Sequence, residues 1–561
     1  MLRFTSVLTL LLLTFFAVTV TAEDEPAFDT DIEEICEISE NTRLYFSSNM
    51  SGVALVNKTQ EGEVFVFDGK ESDPFDEILT VAVSPDGKKA ACVGIRNYLF
   101  HVHYRGKDSR QYELVCPDSL LFTGDSRTLL YVVKDEEEMF VVENNRKEQE
   151  HYDLVRSLVL SQEGKTYAYV GGMNVGGMGE KEYRTWPVIN GKEYKNFLYP
   201  SNISVSPDGR HFAFIADRGD ENMLFVDGKD QGEVGGGIMN SVFFSENGRN
   251  WIVALPMKSE HDKVQEENGW EFVESKMFVL YNGKSFGPYE RVSSVRLSPD
   301  GRHYAYLAET ETEKQLIRDG DIVEKFDLES YPSLDLSQDG KSVLFEKDGK
   351  LYLNDKVIGE ASFISTHGFT PDGNVYYTKE SEEGSILCFG DEEKCELESH
   401  TINCMTFSDR GKSFIFRCGV VGGIAAVMNG ERVGVYKQIL RAPTPRSSAS
   451  CLDLEEWRRW GDFRNKVRDL MDDIGGAGPP DEGDEGEEDE GEDDEWVDPD
   501  WDEEKDGPQD PEDRPVTDTH VSHWVNGRLV QPKSFFFESE DKVFFFIKKD
   551  GKLCKVMAET K

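Results

Sequence analysis

The stretch "ISVSPDGRHFAFIAD" (203–217) returns almost word for word as "VRLSPDGRHYAYLAE" (295–309). Each copy has alternating apolar residues, a short polar turn, and then a run of aromatic and small apolar residues. This is the pattern of two β-strands joined tightly. In the turn S-P-D-G, Gly takes the φ > 0 position and Pro presets φ. Ser and Asp can bond the nearby backbone. The stretch is a hairpin and needs no chemistry to account for it.

The same words recur along the chain: "VAVSPDGKKAACVGI" (81–95), "LVLSQEGKTYAYVGG" (158–172), "VFFSENGRNWIVALP" (242–256), "LDLSQDGKSVLFEKD" (334–348) and "MTFSDRGKSFIFRCG" (405–419). "GFTPDGNVYYTKE" (368–380) is shorter, and "LLFTGDSRTLLYVVK" (120–134) keeps the frame without the Gly. "RLYFSSNMSGVALVN" (43–57) and "SFFFESEDKVFFFIK" (534–548) are degenerate copies at the two ends. A second hairpin follows most copies, marked by Asp-Gly or Asn-Gly as in "VFVFDGK" (64–70), "MLFVDGKDQG" (223–232), "FVLYNGKSFG" (278–287) and "HWVNGRLV" (523–530). Consecutive turn glycines at 164, 209, 248, 301, 340, 373 and 411 lie 33 to 53 residues apart. Four short strands every ~40–45 residues is the spacing of a β-propeller blade.

The S-P-D-G-[KR] turn, followed by "FAFIAD" or "YAYLAE" and then a strand ending in D-G-K or N-G-K, resembles the WD40-like propeller repeats of TolB-type proteins. The resemblance covers about 40–440 and resumes at 520–557. It implies a propeller architecture and a periplasmic or secreted binding scaffold, with no particular activity. The fold class expected is therefore all-β: a propeller of about ten to eleven four-stranded blades. Propellers usually close with four to eight blades. That number favours two tandem rings, residues 23–290 and 291–440, closed by strands from 520–561. One large ring is the alternative. "DIEEICEIS" near the N-terminus is expected to supply a fourth strand to the C-terminal blade and so remove a sheet edge.

The formal net charge of −46 argues against nucleic acid, which needs a basic surface to displace its counterions. It favours a basic protein partner, cations, or solubility alone. Residues 1–22 read as a secretory signal. Arg3 precedes an apolar run from about Val7 to Val20, too short to span a membrane, and small residues follow at Thr21 and Ala22. Nothing later is apolar enough to span, so an extracytoplasmic protein is expected. Of nine cysteines, Cys388 with Cys395, and Cys404 with Cys418, flank hairpins and are candidate disulfides; buried free thiols are the alternative. Asn49, Asn57 and Asn202 head N-x-S/T sequons.

The repeat stops after "VGVYKQIL", and residues 441–519 carry no strand words. A helix is expected over 452–474, followed by an acidic tract. Between Asp472 and Asp513 stand 23 Asp or Glu against one Lys, a composition expected to stay extended. Within it Asp498, Asp500 and Asp502 alternate as in a calcium loop and are weak Ca²⁺ candidates. Glu503 and Gln509 stand where an EF-hand needs Gly and Glu.

No catalytic residues stand out. G-x-S-x-G is absent, and "GGMNVGGMG" (171–179) lacks the G-K-[ST] of a phosphate loop. His101 and His103 share a strand face, His520 and His523 are close, and His211 and His303 occupy equivalent repeat positions. None has a third metal ligand nearby in sequence. No cofactor is expected. The reading is a non-enzymatic propeller binding a protein or extended ligand. One alternative is a hydrolase or lyase with an acidic pore-mouth site, favoured if the loops 171–185 and 256–276 converge. Another is a Ca²⁺-responsive or chaperone-like secreted protein acting through the acidic insert.

Overall fold

The computed structural model describes residues 28–560 except 40, 165, 177–181, 219–220, 236–240, 258–262, 268–269, 275, 361–363, 382–383, 398–401, 421–422, 442–447, 450–522, 526–527 and 531–532. The expected signal, the expected helix over 452–474 and the acidic tract lie outside these residues. Among the described residues the structure is almost wholly strand, with one 3₁₀ turn at Pro117–Ser119. No described helix is long and apolar enough to cross a membrane.

Among the described residues the strands form thirteen antiparallel sheets, of which eleven have four or five strands and are the blades of a propeller. Blade 5 is typical. Its strands Leu198–Val205, Phe212–Arg218, Glu221–Val226 and Lys229–Val234 pair in chain order from the innermost (strand A) to the outermost (strand D). Strand B is buried on both faces because a neighbouring blade covers each one. Phe214 and Ala216 pack towards blade 4 while Ala213 and Ile215 pack towards blade 6. This explains the large-small alternation of "FAFIA". In blade 7, Tyr304 and Tyr306 likewise face blade 6 while Ala305 and Leu307 face blade 8. Aromatics two apart on strand B stack in parallel, 6.1–6.3 Å between centroids, in blades 4, 5, 7 and 10. Full burial of one such ring contributes roughly 1.5–3 kcal/mol.

The two turn words fasten to each other. In the first, Ser206 Oγ donates to Asp208 Oδ1 (2.6 Å), Asp208 accepts the Arg210 N–H (3.1 Å), and Ser206 Oγ accepts the His211 N–H (3.0 Å). In the second, Asp227 sits at φ 52° before Gly228 and accepts the N–H of Phe212, at the start of strand B (3.1 Å). Asp319, Asn354 and Asn429 do the same for Tyr304, Val343 and Phe414.

The expected division into two rings at 290/291 is not what the packing builds. Blade 6 (residues 243–289) and blade 7 (291–326) share a continuous core. Blade 11 packs on blade 10 and also on blade 1. Following the shared cores in chain order returns to the start, so the blades make one large ring. The expected closure is present: Phe28–Glu37 pairs along its length with the last strand, Lys552–Thr560. The hairpin His523–Val525 with Arg528–Val530 stands as a separate two-stranded sheet instead of entering a blade.

Blade 11 has a further feature. Ile439 bridges Ile547, the Leu440 N–H bonds the Phe546 carbonyl (2.9 Å), and Phe536 and Phe537 pair with Phe544 and Val543. These are successive rungs against one strand, Lys542–Lys549. The inner strand of blade 11 is thus assembled from two pieces of chain, and the insert interrupts it at the wall of the central channel.

Candidate binding face and channel wall

Antiparallel strands in a fixed inner-to-outer order put the A–B and C–D turns on one face of the ring and the B–C and D–A connections on the other. The turn face is occupied by structural bonding. His211 and His303, equivalent in the repeat, each hold the second-turn aspartate of their own blade: Nδ1 lies 2.7 Å from Asp227 Oδ2 and 2.8 Å from Asp319 Oδ2. Arg127 and Arg302 extend from this face with 85% and 80% of their side chains exposed.

The opposite face collects the places where the repeat lengthens. The 171–185 loop joins strands B and C of blade 4 (Tyr167–Asn174 and Tyr183–Ile189). The 256–276 loop joins B and C of blade 6 and carries a hairpin, Lys263–Glu267 with Trp270–Glu274. Two of the short B–C turns here are acidic: Glu136, Glu137 and Glu138 are exposed in blade 3, and Glu309, Glu311 and Glu313 cluster in blade 7, whereas lysines flank the turns of blade 8 (Lys347, Lys350) and blade 11 (Lys548, Lys549, Lys552).

The channel wall consists of the inner strands, and several are bulged. Register shifts interrupt pairing at Ile78/Thr80, Arg156/Val159, Leu198/Ser201, Ser293/Arg296, Ile364/Thr366 and Asn403/Thr406. Ser157, Tyr199, Asn202 and Ser294 take φ of 50–56° there, a conformation that is strained for residues other than Gly. On blades 7 to 9 a polar cluster lines these strands. Ser333 Oγ lies 2.6 Å from His367 Nε2, and Arg296 Nε lies 3.9 Å from Asp335 Oδ1. Burial, then the nearby Arg296, pushes the His367 imidazole down to about 4. Burial, then Asp335, pushes the Tyr376 phenol up to about 12. Sequence reading missed this cluster. Ser333 and His367 are 34 residues apart in no motif. The available signal was that Arg296 and Asp335 both stand two residues before their turn serines, where most copies are apolar.

The cluster is a poor nucleophile centre. A serine hydroxyl needs a base whose affinity for a proton is near the working pH and which a third group orients. His367 is neutral and weakly basic, and its Nδ1 has no hydrogen-bond partner among the described residues. The other candidates are spread through the ring. His101 and His103 both face blade 1, His101 near Phe75 and His103 against Phe65 and on Asp108. His523 lies on the separate hairpin, and His520 lies outside the described residues. Among the described residues no three His, Cys, Asp or Glu side chains gather as a metal-binding group. Asp498, Asp500 and Asp502 lie outside the described residues.

Cys388 and Cys395, candidate disulfide partners with buried free thiols as the alternative, are free thiols on opposite faces of blade 9. A bulge sets Cys395 opposite Leu387, not Cys388, so the two sulfurs point apart. Cys418 is buried between blades 9 and 10; the side chain of Cys404 is outside the described residues. Asn49 is exposed but its Oδ1 closes the blade 1 turn, accepting from Ser47 Oγ (2.8 Å) and the Ser51 N–H (3.0 Å). Asn57 and Asn202 are half-buried in strands.

No protein-family model and no curated protein matches the chain. Among solved structures it is similar to a eukaryotic initiation factor, at 11% identity over 71% of this chain and 96% of that one, TM-score 0.33. It is similar to dipeptidyl peptidase 4 of Porphyromonas gingivalis, at 11% identity over 71% of this chain and 60% of that one, TM-score 0.29. It is also similar to the Dos1 propeller, at 12% identity over 64% of this chain and 94% of that one, TM-score 0.27.

Proposed function

We propose that the ring is a non-enzymatic scaffold, exported from the cytoplasm, that binds a basic protein or extended polypeptide on the face carrying the B–C and D–A connections. One observation carries the reading. Both long loops open on that face, while the turn face is committed to bonds that hold the blades. The acids of the B–C turns of blades 3 and 7 suit a basic partner and would steer it by charge to that arc of the face. Photo-crosslinking side chains placed at Glu137 or Met173 are expected to capture a partner in the protein's native compartment. The same groups at Arg127 or Arg302 are not. Capture from the turn face alone would overturn the reading.

The competing reading is a hydrolase using Ser333 and His367, favoured only by their 2.6 Å contact. A serine-reactive fluorophosphonate probe separates the two, since a hydrolase would be labelled at Ser333 and lose the label in Ser333→Ala.

A further inference from the structure

We infer that Tyr98 is the anchor of the binding face: an exposed ring on which an arginine of a basic protein stacks, beside the carboxylates of Glu136 and Glu137 on the next blade. The inference rests on the protein-binding reading above and names the side chain that would hold that partner.

The B–C turns of blades 2, 8 and 11 are the same two-residue turn. In each, both central residues stand at positive φ between a closing strand pair: Asn97 and Tyr98 (52° and 64°), Asp348 and Gly349 (52° and 72°), Asp550 and Gly551 (51° and 73°). Asn or Asp tolerates the first position and Gly suits the second. Blade 2 puts Tyr where the other two put Gly. For a bulky residue this conformation is a genuine outlier. The turn is also pinned, since the Asn97 N–H donates to Asp76 Oδ2 (2.8 Å). The fold gains no burial in return. Tyr98 is 57% exposed, and among the described residues its hydroxyl has no hydrogen bond and its ring no stacked neighbour. Strain that is kept without packing marks a residue used for something other than the fold.

The surroundings say which side chain fits. Tyr98 opens on the face that carries the B–C connections. Blade 3, which shares a core with blade 2, presents Glu136 and Glu137 there, and blade 4 presents Met173 and Val175, 43% and 54% exposed. Ring, carboxylates and apolar groups thus follow one another along three neighbouring blades. An arginine suits all three. Its planar guanidinium stacks on an aromatic face and bonds carboxylates through its edge, and its stem covers apolar groups. A lysine ammonium is a compact, strongly hydrated charge and gains less from the ring. The occupant is therefore an arginine-bearing segment of a basic protein.

The test uses the full chain and two fluorescent peptides of equal charge, one of five Gly-Arg repeats and one of five Gly-Lys repeats. Binding is measured by anisotropy at about 0.15 M salt, where loose charge pairing is screened. Binding elsewhere on the acidic chain is common to every variant and cancels in the comparison. Tyr98→Gly is expected to weaken the Gly-Arg peptide about tenfold. Tyr98→Phe, which keeps the ring, is expected to bind it as wild type does, and the Gly-Lys peptide is expected to bind all three chains alike. Tyr98→Gly also gives the turn its usual residue, so this variant is expected to melt at a higher temperature than wild type while binding less well. Equal affinity of the Gly-Arg peptide for wild type and Tyr98→Gly, an equal loss in Tyr98→Phe, or an equal loss for the Gly-Lys peptide would overturn the inference. So would a lower melting temperature in Tyr98→Gly, which would show that the ring serves the fold. Partner capture at Glu137 that Tyr98→Gly leaves unchanged would remove this inference and leave the proposed binding face standing.

Discussion

At the residue scale the carboxylates of the first turn are structural acceptors, and their protonation behaviour follows. Asp300 is held below the ordinary carboxylate range by the Arg302 N–H and the Ser298 hydroxyl. Asp339 is held down in the same way by Ser337 and the Lys341 N–H. A group with a depressed folded pKa stabilises fully above its unfolded value, about 3.9 for Asp, and less as pH falls through the folded value. Stability is thus expected to decline below about pH 4. Ser298→Ala should raise the Asp300 pKa towards that of a free carboxylate in a carboxyl NMR titration. An unmoved titration would mean that the hydroxyl does not hold the charge. These acids were legible as turn residues in the sequence. The pairing of Ser333 with His367 was not, because it depends on two strands that only the ring makes neighbours.

At the element scale the inner strand sets the character of each blade's channel edge. Its bulges place ordinary residues at positive φ, which costs of order 1–3 kcal/mol each. Ser294 is such a site, at φ 52° on blade 7. Ser294→Val adds β-branching there and is expected to destabilise by about 1–2 kcal/mol, whereas Ser294→Gly stays within about 0.5 kcal/mol of wild type. Thermal melts of the two variants check this, and equal loss from both would show that side-chain packing, not backbone strain, governs the site. The sequence announced strands and turns because each is written in three to five adjacent residues. It did not announce the bulges. A register shift is agreed between two strands and leaves no local word; "SVRLSPDG" reads the same with or without one.

At the scale of the whole molecule, closure depends on chain segments far apart in sequence. Blade 11 takes its outer strand from Phe28–Glu37, part of its inner strand from Ile439 and Leu440, and the rest from 536–560. Blade 11 also repairs its neighbour. In blade 10 the aspartate position of the turn is Arg410, and Glu540 of blade 11 supplies the missing carboxylate. Glu540 accepts from Ser408 Oγ (2.5 Å) and from the Arg410 N–H (3.1 Å). A protease site engineered between 475 and 515 should therefore yield two pieces that still co-elute. Glu540→Ala should release the C-terminal piece at a lower denaturant concentration. Arg410→Asp in that background should restore blade 10's own turn without restoring retention. Separation of the pieces in native buffer, with Glu540 intact, would refute this account of closure.

The sequence by itself determined the hairpin, the blade and close to the number of blades, since turn chemistry and strand alternation act over a few residues. It also pointed to the first strand closing on the last. The tertiary structure alone decided that there is one ring and not two, and where the insert breaks the innermost strand. It decided too which polar residues meet on the channel wall, and that Cys388 and Cys395 point apart. The reason is additive. The angle between adjacent blades is set by how large residues on one face of strand B fit small ones on the next blade. The ring size is the sum of those small angles over every interface. No single stretch of chain contains that sum, so "ISVSPDGRHFAFIAD" specifies a blade but not how many of its neighbours complete the circle.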